Sequence, residues 1–105
     1  MLKTVSIKVS GKVQGVFYRQ STRELAIALN IKGHVKNMPD DTVEIIATGP
    51  PEQIEQLIRW CWSGPPKAQV TNVEVKELST ELFDKFNIPI HYIFYYIKRL
   101  TPGLY

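Results

Sequence analysis

Val5, Ile7 and Val9 alternate with Ser6, Lys8 and Ser10, the period-two pattern of a strand with one buried face. The alternation gives way to a glycine-punctuated stretch, Gly11-Lys12-Val13-Gln14-Gly15-Val16-Phe17-Tyr18-Arg19. Over residues 20–29 the spacing turns helical, with Thr22, Ala26 and Leu29 in one stripe and Leu25 widening it. Asn30 suits a left-handed helix ending, and Ile31 can fold back onto the last turn. Gly33 opens the next element. Residues 34–37 predict a short strand, Pro39-Asp40-Asp41 a turn, and residues 42–48 a second strand, so the three read together as a hairpin. Gly49-Pro50-Pro51 stops that strand and starts a helix running to about Ser63, with Glu52 near its positive end. Its core stripe is Ile54, Leu57, Ile58 and Cys61, flanked by Trp60 and Trp62. Gly64-Pro65-Pro66 ends the helix. Residues 70–78 return as a strand with Val73 and Val75 on one face, and a linker follows over residues 79–85. Phe86, Ile88, Ile90 and Tyr92 then alternate with Asn87, Pro89 and His91, a fifth strand that Pro89, lacking an N–H, assigns to a sheet edge.

The order strand, helix, strand, strand, helix, strand is that of an α+β, ferredoxin-like βαββαβ sandwich: two helices on one face of a mostly antiparallel sheet, here with an added C-terminal edge strand. At 105 residues and 44% hydrophobic content, the chain can bury one modest core. Thirteen Lys and Arg against ten Asp and Glu leave a formal charge of +3, a mild attraction for anions. The charges are scattered, which speaks against nucleic acid as a partner. RNA binding on an open sheet face would want aromatic platforms, whereas the outward set of the first and third strands is Ser6, Lys8, Glu44, Ile46 and Thr48. One cysteine and two histidines distant in sequence predict no metal site. Cys61 lies in the helical core stripe and reads as a structural thiol. No leader pattern precedes the first strand and no apolar run reaches spanning length, so the expectation is a cytoplasmic protein without a membrane partner.

The chemistry is concentrated at residues 11–19. Gly11 and Gly15 permit backbone angles closed to other residues, so successive N–H groups can converge on one point, and the following helix adds its own N–H groups and positive dipole end. Arg19 supplies a planar, charged fork matched to two oxygens of a phosphate or carboxylate. The plainer alternative is a tight connection with a solvated arginine. Asn37, at the end of the second strand, can come close to Arg19 in this fold, and a neutral carboxamide can hold a water in line with a phosphorus atom. On spacing alone, a simple hairpin residue is the plainer reading of Asn37.

Gly11-x-Val13-Gln14-Gly15-Val16-x-Tyr18-Arg19, followed by Gly33-x-Val35-Lys36-Asn37 and then Val43 and Gly49, resembles the two signature stretches of the acylphosphatase family. The resemblance extends through Ala26, Leu29 and Ile31 to the Trp60–Pro65 region and covers residues 5 to about 77. It implies metal-free, cofactor-free hydrolysis of small acyl phosphates to a carboxylate and inorganic phosphate. Arg19 and the amides of Gln14, Gly15, Val16, Phe17 and Tyr18 would bind the phosphate, or another anion, and Asn37 would orient the attacking water. The alternative is a non-catalytic ferredoxin-like module that binds an anionic ligand or a protein. Asp41 departs from the family, which usually has glycine in that loop, and so does His34, read here as a partly exposed strand residue. Residues 1–92 form the acylphosphatase-like domain of this reading and residues 93–105 an extension of unknown role. A monomer is expected, with the aromatic run Ile93, Phe94, Tyr95, Tyr96 and Ile97 offering a route to self-association.

Overall fold

The computed structural model describes residues 1–89. The elements are β1 (Lys3–Lys12), α1 (Tyr18–Ala28), β2 (Lys32–Asn37), β3 (Val43–Gly49), α2 (Pro51–Ser63), β4 (Gln69–Leu78) and β5 (Phe86–Asn87). They build a five-stranded sheet of order β4-β1-β3-β2-β5, antiparallel except where β5 runs parallel to β2. This is the expected ferredoxin-like arrangement with the fifth strand at an edge. Residues 90–92 of the expected strand and the extension over residues 93–105, with its route to self-association, lie outside the described residues.

The inward alternation holds in every central strand. Val5, Ile7 and Val9 of β1 and Val43, Ile45 and Ala47 of β3 are fully buried against Ala26 of α1 and Ile54, Leu57 and Cys61 of α2. The sequence places Val73 with Val75, and the register agrees, with Val73 opposite Val9 and Val75 opposite Ile7, although Val75 stays 40% exposed; Val70 packs on the core beside Val73. Val70 joins that face through a bulge: Ser10 pairs with Asn72 and Gly11 with Val70, so Thr71 is the extra residue and the inward spacing from Val70 to Val73 becomes three. Gly11 is what allows it. A Cβ there would lie 2.1 Å from the Gln69 carbonyl oxygen, so Gly11 serves the close approach of β4 and stays in β1 rather than joining the turn that follows.

The end of α1 follows the expected route. Asn30 is left-handed (φ 57°), its N–H donates to the Ile27 carbonyl, and the N–H of buried Ile31 donates to the Ala26 carbonyl at 2.8 Å. The start differs: α1 begins at Tyr18, before residue 20, because the chain reverses at Phe17.

Thr48, expected on the outward face, is only 3% exposed. The linker between β4 and β5 must cross from one sheet edge to the other, and it does so under this end of the face. Glu81 N–H donates to Thr4 Oγ1 (2.9 Å), the two threonine hydroxyls are 2.6 Å apart, and Thr48 Oγ1 donates to the Glu81 carbonyl (2.6 Å). This ring of bonds fixes the approach of β5 from the far side of the sheet. His34, half-buried as expected, packs at right angles to the Phe83 ring with centroids 5.8 Å apart.

In the β2–β3 hairpin, Asp41 N–H donates to the Met38 carbonyl and Met38 N–H to the Thr42 carbonyl, with Asp41 itself at φ 71°. A turn followed by one left-handed residue is the usual three-residue hairpin loop, where glycine is favoured. Asp41 therefore occupies the glycine position at a cost, tolerated because aspartate visits this region more readily than most residues. Its neighbour Asp40 braces the loop by accepting from the Thr42 hydroxyl (2.6 Å) and N–H (3.2 Å), bonds that hold its carboxyl below the usual range. Asp41→Gly is expected to raise stability by about 0.5–1 kcal/mol, the relieved strain being partly offset by the freer unfolded chain. A urea midpoint that falls would show that the Asp41 side chain holds the loop.

Candidate active site

Between β1 and α1 the side chains divide sharply. Val13, Val16 and Tyr18 point inward at 1%, 4% and 1% exposure, while Gly15 and Phe17 stand out in solvent and Arg19 is half-buried. The turn over residues 14–17 is thus nailed to the core at both ends. Gly15 is left-handed (φ 75°) with open space where a Cβ would sit, so its role is the turn itself. Phe17 follows in the same region (φ 68°) as the N-cap of α1, and no side chain caps the first turn. The start of α1 thus faces the space in front of it without a side-chain cap.

That space is a cleft of about 430 Å³ lined by Val13, Gly15, Phe17, Tyr18, Arg19, Gln20, Asn37 and Ile88. Of the residues singled out from the sequence, Arg19, Asn37, Gly15, Phe17 and Tyr18 border it. Gln14 and Val16 do not: the Val16 side chain is core, and Gln14 reaches elsewhere. Asn37 is 4% exposed because it follows Gly33 and Val35 on the inward face of β2. A carboxamide in the apolar register, at the last position of the strand, is brought to the mouth of the site instead of the core.

Gln14 joins the two halves. Its Nε2 donates to the carbonyl oxygens of Met38 and Thr42, both at 2.9 Å, tying the turn that precedes Arg19 to the loop that follows Asn37. The sequence draws attention to the Gln14 amide and gives no sign of this side-chain role, which depends on two carbonyls of one hairpin loop, 24 and 28 residues away in sequence. Ile88 reads from the sequence as an edge-strand residue and not as part of the site, whose candidate residues all lie before Gly49. It arrives because β5 pairs parallel to β2, Gly33 with Phe86 and His34 with Asn87, and so runs toward the same end as Asn37.

Tyr18 anchors the site from behind. Its hydroxyl donates to the Cys61 carbonyl at 2.7 Å, its ring lies 5.2 Å from that of Trp60, and its own carbonyl accepts from the Thr22 hydroxyl. Burial pushes the Tyr18 phenol well above its ordinary value, and it pushes the Cys61 thiol up to about 12. Neither group ionises at neutral pH, and Cys61 is fully buried, so it is a packing residue as expected. The unfolded chain releases both protons more readily than the folded one. Stability is thus fully present below the ordinary thiol value of 9.0 and is lost as pH rises toward 12. Urea midpoints should fall between pH 9 and pH 11, and Tyr18→Phe should remove the part that sets in near pH 10; equal midpoints at both values would contradict this burial argument.

Among the described residues, no cluster of three His, Cys, Asp or Glu side chains could hold a metal ion, and no helix is long and apolar enough to cross a membrane. Arg19, the Gly15 turn and the start of α1 border the same cleft.

The acylphosphatase family model matches residues 5–88, which span both signature stretches and reach Ile88. The chain is 51% identical to an acylphosphatase of Pelotomaculum thermopropionicum over 70 residues, 67% of this chain and 76% of that protein. It is 42% identical to an acylphosphatase of Methylococcus capsulatus over 88 residues, 83% of this chain and 96% of the relative. The structure of an acylphosphatase from Coxiella burnetii superposes with a TM-score of 0.81 at 41% identity, covering 84% of this chain and 93% of that one. With the family match running through every element that builds the cleft, the chain belongs to the acylphosphatase family.

Proposed function

We propose that this protein hydrolyses small acyl phosphates to a carboxylate and inorganic phosphate in the cleft between the 14–17 turn, the start of α1 and the end of β2. One observation carries the assignment of roles: Arg19 and Asn37, 18 positions apart in sequence, line the same cleft as the Gly15 turn. Arg19 and the N–H groups of residues 14–18 hold the phosphate oxygens and neutralise charge as it develops. Asn37 accepts a hydrogen bond from a water and sets its oxygen in line with the bond to be broken. The water oxygen bonds to phosphorus, the bond from phosphorus to the acyl oxygen breaks, and the carboxylate leaves with the electron pair. The water's proton passes to the phosphate.

A carboxylate is a good leaving group, so positioning and charge neutralisation suffice and no side-chain base is needed. His34 is consistent with this, since it packs on Phe83 and does not line the cleft. The test is phosphate release from acetyl phosphate and benzoyl phosphate with a chelator present. Steady release above the uncatalysed rate is expected; its absence with a folded protein would leave the cleft as an anion-binding site without catalysis.

A further inference from the structure

Phe17 breaks local rules twice over. It sits at an N-cap without making a capping hydrogen bond, and it holds a bulky aromatic at φ 68°, ψ 22°, where asparagine would meet both demands and glycine the second. Core packing does not compensate, because the side chain is 71% exposed between two neighbours that are almost fully buried. A lone exposed aromatic is ordinary, and so is a left-handed turn. A strained aromatic that stands in the wall of the cleft beside Arg19 points to a ligand.

The cleft is larger than a phosphate group requires, and its lining is divided. Arg19, Gln20, Asn37 and the Gly15 turn are polar, whereas Val13, Phe17 and Ile88 are apolar. Every acyl phosphate presents the same phosphate, so discrimination among them falls to whatever meets the acyl part. We propose that the Phe17 ring, with Ile88, forms an apolar subsite for the acyl group, so that acyl phosphates with an aromatic or extended apolar acyl part are preferred over acetyl-sized ones. Phe17 then serves the phosphate through its backbone and the acyl group through its ring. This inference rests on the acyl phosphate reading of the cleft.

The experiment compares kcat/KM for benzoyl phosphate with that for acetyl phosphate in the wild-type chain, Phe17→Asn and Phe17→Gly. Both substitutions suit a left-handed backbone, so the turn is retained without the ring. Comparing ratios between proteins cancels the intrinsic reactivity of the two substrates. The benzoyl-to-acetyl ratio is expected to fall roughly tenfold in both variants, mostly through KM, and to fall less in Phe17→Leu, which keeps an apolar wall. An unchanged ratio in either folded variant overturns the subsite while leaving the hydrolase reading intact. No hydrolysis of either substrate by the wild-type chain overturns the hydrolase reading and the subsite with it.

Discussion

Replacing Arg19 by alanine is expected to lower kcat/KM for acyl phosphates by roughly 10³ or more and to abolish competitive inhibition by inorganic phosphate. The fold should persist, because Arg19 is half-buried at the cleft and belongs to no core cluster. The informative variant is Arg19→Lys. It keeps the charge and the length of the stem but loses the planar fork, so it cannot reproduce two parallel hydrogen bonds to adjacent phosphate oxygens. Rescue should therefore be slight. Steady-state kinetics on both variants, with circular dichroism as the control for folding, make the comparison, and near-normal turnover by Arg19→Lys would refute the bidentate cradle.

Asn37→Ala is expected to separate binding from chemistry. Inorganic phosphate should inhibit with an affinity close to that of the wild-type chain, while kcat falls by roughly 10² or more, since only the oriented water is lost. The position is buried and one strand register away from the core, so a modest loss of stability, about 1 kcal/mol, should accompany the change. Parallel losses of phosphate affinity and turnover would reassign Asn37 to holding the ligand or the loop.

Most of the fold was legible because its signals are local. The alternation of Val5, Ile7 and Val9, the stripe of Ile54, Leu57 and Cys61, and the Asn30 ending of α1 each depend on residues a few positions apart. The burial of Asn37 was implicit in its register with Val35, although the plain reading of a residue beside a turn is solvent. What escaped the sequence depends on distant segments meeting. Thr48 reads as outward and is so, but the linker at Glu81 covers it. Ile88 reads as an edge-strand residue, and only the parallel pairing of β5 with β2 brings it to the cleft. The bulge at Thr71 brings Val70 onto the inward face, and it rests on a backbone approach to Gly11 that no single strand's pattern encodes. Phe17 reads from the sequence as a backbone amide donor alone; its left-handed backbone and exposed side chain are what mark the ring.

Tyr18 separates the most exposed aromatic of the site from its arginine, yet it is locked between α1 and α2 by a hydrogen bond to Cys61 and by the Trp60 ring. Displacing the turn therefore means pulling a core residue out of the interface between the two helices, and the Gln14 bonds would have to break as well. Such a segment does not open by fraying. Cleavage by a protease within residues 14–19 should accordingly require the opening of the whole molecule. On the proposed hydrolase reading, a turn anchored this way offers substrate a site already in its working shape, and turnover need not wait on motion of the turn.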